Sequence, residues 1–352
     1  MLNNLTSISP ETASSAAEPT SPLVTQCLSS IAPILKASGD PLRLEILRVL
    51  QRDTFGVMEL CNIFDSRQSG MSHHLKVLNK AGLVETQREG NSIFYRRPIK
   101  QDDEINDELI HSLFGIIDQT EISPSTAASI SLIKEQRAEQ SQAFFARHAD
   151  KFKEQQELIA LFEQYSVPVV DLINAHDFSE HSIAMEIGPG EGAFLNELST
   201  RFNKVYALDN SEGMLNKAKA HAKSDNLSNI EFVLGESNKA LQQKITVDAI
   251  VLNMVLHHIP SPADIFTDCA RLLNDGGIML VSDLSHHDQN WVKENCGDLW
   301  LGFESEELSL WAKNAGLDEG ESLYIGLRNG FQIQVREFIK RQVNSIHQGT
   351  DS

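Results

Sequence analysis

Met185-Glu186-Ile187-Gly188-Pro189-Gly190-Glu191-Gly192 is the stretch on which the reading of this chain turns. The apolar run IAMEI (183–187) meets glycines at three alternate positions and then a helical spacing, so strand, tight turn and helix are predicted. Glycines at such a turn let backbone N–H groups approach a ligand at the positive end of the following helix. Gly188, Gly190 and Ala193 also satisfy the dinucleotide pattern G-x-G-x-x-A. Alone, the turn does not choose between cofactor classes. Asp209 closes the next run, KVYALD, with an acid that can accept hydrogen bonds from both ribose hydroxyls, which both classes need.

Outward from this turn, IEFVL, VDAIVLN and GIMLVSDL alternate with helical stretches, the pattern of a parallel sheet with helices on both faces. LDEGESLYIG and NGFQIQVREF end the series as an antiparallel pair predicted at the sheet edge. The motifs, in order, resemble the class I S-adenosylmethionine-dependent methyltransferases over roughly residues 140–340. Glu186 stands where that family has an acid inside the glycine motif, and Gly235-Glu236-Ser237 where an acid, usually Asp, contacts adenine. Asn253-Met254-Val255-Leu256-His257-His258-Ile259 resembles the substrate-facing motif. Leu272-Leu273-Asn274-Asp275-Gly276-Gly277 resembles the L-x-P-G-G turn, with Asp275 in place of proline.

The resemblance implies S-adenosylmethionine as cofactor, held by Glu186, Gly188, Gly190, Gly192, Asp209, Asn210, Met214, Glu236, Ser237 and Asn253. Candidates for a proton-accepting base are His257, His258, Asp283 and His287, where open α/β folds bind ligands. Adjacent histidines on a helix start are expected to point in different directions, so no metal site is expected there. Trp291, Trp300, Phe303 and Trp311 either form an aromatic lid over an acceptor or pack a core.

The first third reads differently. Gly39-Asp40-Pro41 interrupts a helical period, with Asp40 as predicted N-cap and Pro41 at the first helical position. A short helix at 57–64, a helix from about Gln68 to Asn79, and a hairpin of 83–87 with 92–97 describe a winged helix-turn-helix. Ser72-His73-His74-Leu75 through Ala81-Gly82-Leu83-Val84, then Arg88-Glu89-Gly90-Asn91 and Tyr95, resemble the ArsR/SmtB repressors over residues 28–120. In that geometry Gln68, Ser69, Ser72 and His73 reach base edges, while Arg67, Lys76, Arg88, Arg96 and Arg97 meet phosphates; Asn91 joins the wing set. The family's homodimers imply a seam from flanking helices, here 30–37 and 102–120, the latter with Ile105, Leu109, Leu113, Ile116 and Ile117 on one stripe. The family's arsenic site lacks its second thiol, since Glu59-Leu60-Cys61-Asn62 has one cysteine. Asp107 and His111 are only half of its other metal site.

Composition fits this division. The 352-residue chain carries a net charge of −19, yet residues 28–100 hold eleven Lys/Arg against seven acids, leaving −23 elsewhere. A basic module on an acidic body is the asymmetry of a protein that touches phosphate with one part only. The spread of Cys27, Cys61, Cys269 and Cys296, without a CxxC pair, argues against a disulfide framework and points to a cytoplasmic protein. No apolar run approaches the ~20 residues that cross a bilayer. The expected organisation is a disordered tail (1–27), an ArsR-type DNA-binding and dimerisation domain (28–122), a helical connector that also caps the next domain (123–180), a Rossmann-like methyltransferase domain with a mostly parallel sheet (181–340) and a tail (341–352). The expected function is a DNA-binding regulator that methylates a small-molecule acceptor. The alternative is a non-catalytic repressor that senses S-adenosylmethionine or S-adenosylhomocysteine.

Overall fold

The structure, a computed structural model, describes residues 22–99, 104–148 and 152–342. The predicted tails at 1–21 and 343–352 lie outside the described residues. Residues 22–27, expected in the first tail, instead begin a helix.

The N-terminal module comprises α1 (Pro22–Ser38), α2 (Pro41–Val49), β1 (Phe55–Gly56), α3 (Val57–Ile63), α4 (Gln68–Lys80), β2 (Glu85–Glu89), β3 (Ser92–Arg96) and α5 (Glu104–Asp118). Asp40 caps α2 by accepting from the Arg43 amide at 3.1 Å, satisfying one of the helix's orphan donors. Met71, Leu75 and Leu78 recur on the inner face of α4 and bury against Ile46, Leu47 and Leu60. The stripe predicted on α5 is divided. Leu109, Leu113 and Ile117 pack into this core and Ile116 faces outward, so most of it serves the fold rather than a seam.

The single long connector helix expected over 127–163 is three pieces, α6 (Pro124–His148), α7 (Phe152–Glu157) and α8 (Phe162–Asn174). Gln164 caps the start of α8 by accepting from the Leu161 amide at 2.7 Å.

The C-terminal domain runs β4 (Ile183–Ile187), α9 (Leu195–Arg201), β5 (Lys204–Asp209), α10 (Glu212–Ser224), β6 (Ile230–Leu234), α11 (Ser237–Gln242), β7 (Val247–Asn253), α12 (Pro262–Leu272), β8 (Leu273–Leu284), α13 (Trp291–Asn295), α14 (Ser305–Ala315), β9 (Leu317–Gly326) and β10 (Gln332–Lys340). A 3₁₀ turn, Leu256–His258, follows β7. The sheet order is β6-β5-β4-β7-β8-β10-β9, parallel through β8, with β10 antiparallel to both β8 and β9. Strand runs apolar at nearly every position are explained by burial on both faces, each covered by its own hydrophobic cluster. Strand order reverses beside β4, opening a crevice at the carboxyl ends of β4 and β7.

The two domains share contacts. Phe94 of β3 packs edge-on against Trp300 with centroids 5.6 Å apart, and Arg96 pairs with Glu307 of α14. Trp300, Phe303 and Trp311 pack among buried residues, and none of the four aromatics read as a possible lid lines the main cavity. Core packing is their role.

Candidate functional site

The crevice opens into a cavity of about 800 Å³. Gly188 lies at its floor with φ +68°, and a Cβ there would come within 2.3 Å of Val255, so only glycine fits the close approach of the two strand ends. Glu186, Gly188, Gly190, Asp209, Asn210, Met214, Glu236, Ser237 and Asn253, nine of the ten residues read as donor-holding, line this one space. Gly192 does not. At φ +92° it faces Ala218, whose Cα would lie 3.0 Å from an added Cβ, so it allows α10 to pack closely.

Asp209 spends one carboxylate oxygen on the Ser211 amide at 2.8 Å, which fixes its direction at the strand end. Burial pushes its carboxyl up to about 6. Glu186 is buried at the end of β4; burial, then the charge of Asp209, pushes it up to about 8. Glu186 and Asn253 face each other as hydrogen-bonding neighbours, and neither Glu186 Oε2 nor either amide atom of Asn253 has a further partner among the described residues. Buried polar atoms in that state await a ligand or water. The Ser237 hydroxyl is already given to Asp268 at 2.6 Å, leaving its backbone for a ligand.

Of the four candidate bases, only His258 lines the cavity. Burial, then the neighbouring His257, holds its pKa well below the ordinary histidine value, so the ring is neutral. His257 points away, donating from Nδ1 to Asp283 at 2.7 Å, and Asp283 also accepts from the Leu256 amide at 2.8 Å. His287 packs its ring on Phe331 at 4.7 Å, and its Nδ1 accepts from the Gln289 amide. His257, Asp283 and His287 are therefore outside the cavity. The expected divergence of His257 and His258 also fails: their rings lie 4.1 Å apart and both approach Asp298. Met254, in the left-handed region at φ +50°, turns the chain directly before them.

The helical connector is expected from sequence to cap this domain, but none of the side chains that do so is named there. Phe145 and Lys134 from α6, and Phe162 and Tyr165 from α8, close the cavity. Lys134 bridges Asp53 at 2.8 Å and Asp264 at 2.5 Å, and Ser261 donates to Asp53 at 2.5 Å. Arg137 forks onto Glu59 at 2.9 and 2.6 Å and donates to the carbonyls of Thr54 and Pro260. Asp53 and Glu59 belong to the N-terminal module, whereas Ser261 and Asp264 line the cavity. No local periodicity signals such pairs, because they join residues far apart in the chain.

On the opposite side of the N-terminal module, Arg67, Gln68, Ser69, Ser72, His73 and Lys76 are all exposed, presenting one polar face of α4. Arg88 and Asn91 are exposed on the hairpin. Arg96 and Arg97, read as phosphate contacts, are engaged: Arg96 with Glu85 and Glu307, Arg97 with Asp118 at 2.7 Å.

Comparison with known proteins agrees with this division. The family described as "Methyltransferase domain" matches residues 178–316, and "Bacterial regulatory protein, arsR family" matches residues 40–86. An HTH-type transcriptional regulator of Methanocaldococcus jannaschii is 46% identical over 67 residues, 18% of this chain and 73% of its own length. A ubiquinone biosynthesis O-methyltransferase of Methylococcus capsulatus is 26% identical over 162 residues, 42% of this chain and 68% of its own. For that of Acinetobacter baylyi the figures are 26%, 31% and 46%, so the chain spans about half of that relative's length. Among solved structures, a SAM-dependent methyltransferase from Aquifex aeolicus matches with TM-score 0.42 and 20% identity, covering 53% of this chain and 97% of that one. Magnesium protoporphyrin IX methyltransferase from Synechocystis with bound SAM matches with TM-score 0.42 and 16% identity, covering 51% and 79%. With the exposed recognition face at one end and the glycine-floored cavity at the other, the chain belongs to the ArsR-family helix-turn-helix regulators and carries a methyltransferase domain fused behind them.

Proposed function

We propose that this protein regulates transcription by binding operator DNA through α4, binds S-adenosylmethionine in the 800 Å³ cavity, and transfers its methyl group to a small molecule. The observation that carries the reading is the convergence of nine predicted donor-holding residues on one cavity whose rim, at Ser261 and Asp264, is also bolted to the DNA-binding module. The residues fit the cofactor: Asp209 offers an oriented carboxylate for ribose hydroxyls, and Glu186 and Asn253, which face each other, present buried polar atoms beside it. When bound, the cofactor supplies an electrophilic methyl group and brings positive charge to a wall holding two buried carboxylates. The chain's own part is to align the acceptor and exclude water. Phe145, Tyr165 and Phe162 close the cap over it, and neutral His258 can accept a proton from an acceptor that bears one.

A second reading is a pure sensor. It is favoured by the placement of His257, Asp283 and His287 outside the cavity, which leaves His258 as the one base candidate of the four within reach. In both readings Leu28 and Leu35 of α1 and Ile116 of α5, exposed apolar side chains on the flanking helices, support a homodimer. Calorimetry tests the shared core: Asp209→Ala should weaken S-adenosylmethionine and S-adenosylhomocysteine binding at least tenfold. Unchanged affinity overturns the assignment. DNA selected from a random pool should alter that affinity by the same factor by which the ligand alters DNA binding.

A further inference from the structure

We infer that His257, His258 and Asp298 form a site for one divalent cation of the borderline class, zinc fitting best, with Asp283 orienting His257. The three donor groups come within 4.8 Å of one another. Asp298 Oδ1 lies 4.0 Å from His257 Nε2 and 3.9 Å from His258 Nδ1. Asp298 is 4% exposed, and neither of its carboxylate oxygens has a hydrogen-bond partner among the described residues. A carboxylate withdrawn from water without a donor is costly, and buried charges are ordinarily paired or bound to metal.

The second histidine nitrogen supplies an independent sign. His257 donates from Nδ1 to Asp283, which aims Nε2 at Asp298, where a metal would take the place of the ring's second proton. This carboxylate–histidine arrangement is how metal-binding imidazoles are fixed in tautomer and direction. His258 Nδ1 hydrogen-bonds the Gly297 carbonyl at 3.3 Å, a bond that coordination would replace.

Two imidazoles and a carboxylate suit zinc, and donors at about 2.0–2.2 Å from a tetrahedral ion stand about 3.3 Å apart, so the two contacts of Asp298 need close by about 0.7 Å and no pair in the set by more than about 1.5 Å. A second cavity of about 410 Å³, lined by Lys293, Gly297 and Asp298, gives the ion a route in and room for a water as fourth ligand. Cys296 stays outside the set, with Sγ against the Gln155 carbonyl at 3.8 Å. The ion would tie the end of β7 to the segment whose Leu301 amide holds Glu89 of the wing at 2.8 Å. None of this depends on the adenosyl ligand.

The test is titration of the chelator-stripped full chain with Co²⁺, followed by displacement with Zn²⁺. Expected are one ion per chain, the visible absorption of tetrahedral cobalt, and at least micromolar affinity. Asp298→Asn and His258→Gln should each weaken binding at least a hundredfold, and Asp283→Asn tenfold to a hundredfold. Asp298→Asn removes an unpaired buried charge, so the metal-free variant should fold; if it does not, His258→Gln carries the test. No cobalt band at millimolar ion overturns the inference and leaves His257 as an imidazolium between two carboxylates. A band that survives in His258→Gln or Asp298→Asn overturns it too, and places the ion on other side chains such as His286.

Discussion

The recognition helix and the wing come from one small module, yet they face opposite circumstances. On α4 the polar residues Gln68, Ser69, Ser72, His73 and Lys76 all stand in solvent, while the inward Met71, Leu75 and Leu78 are fully buried. On the β2–β3 hairpin, Gln87 and Glu89 are polar and yet buried, because the C-terminal domain covers them. Glu89, 2% exposed, accepts from the Leu301 amide and pairs with Lys293; burial, against the pull of Lys293, raises its pKa. Basic residues on the two elements therefore have different work. Those on α4 stand in solvent, as the proposed DNA contacts require, whereas Arg96 is spent on holding the two domains together. Under the proposed function, a wing pinned in this way would pass the state of the second domain to DNA, which a free helix face could not.

The largest break in that contrast should come from Arg96→Ala. Arg96 is 16% exposed and Glu307 5%, so the substitution strands a buried carboxylate. Loss of one partner of such a pair costs about 3 kcal/mol or more, readable as a lowered urea midpoint. Non-specific DNA affinity should not fall with it. A tenfold fall together with a flatter salt slope would return Arg96 to the phosphate set.

A change that touches neither surface separates docking of the wing from general loosening of the C-terminal domain. Burial, then the charge of Asp209, holds Glu186 near 8, against 4.5 for an ordinary carboxyl. The folded chain therefore keeps a proton that the unfolded chain has lost between those values, and its stability declines as pH rises from about 4.5 to about 8. Glu186→Gln should remove the share of that decline due to Glu186, leaving the smaller shares of Asp209 and Asp298, and stabilise the ligand-free protein at pH 8 by about 2 kcal/mol, after allowance for relaxation around the site. Denaturation midpoints at pH 5 and pH 8 that fall by equal amounts in parent and variant would contradict it.

How legible these two elements were differs for a physical reason. Apolar spacing marked α4 to within a residue at its C-terminal end, and five apolar strand runs announced the parallel sheet, because burial of a periodic face writes itself into local sequence. The cavity lining was legible for a related reason: its residues sit at strand ends and beside glycines. Arg96 and Arg97 looked like any basic wing pair, and their partners Glu307 and Asp118 lie far along the chain. The polar helix α6 read as a connector and cap, but the ion pairs by which Lys134 and Arg137 bolt the domains together carry no periodicity and stayed hidden. The convergence of His257 and His258 was hidden because Met254, left-handed at φ +50°, redirects the turn in a way no residue type predicts.

The smallest effect probes the outward faces directly. Lys76 on α4 and Arg88 on the hairpin are both exposed and free to meet phosphate, but the hairpin is held by the second domain and the helix is not. Lys76→Ala should lower affinity for all sequences about tenfold and reduce the slope of log K against log salt by about 1. Arg88→Ala should reduce the slope less while the wing stays docked. After Arg96→Ala releases the hairpin, the same Arg88→Ala change should cost the full increment. Equal slopes for Lys76→Ala and Arg88→Ala in the parent protein would mean that docking does not restrain the wing, since a phosphate contact reports only on whether the element carrying it can reach the duplex.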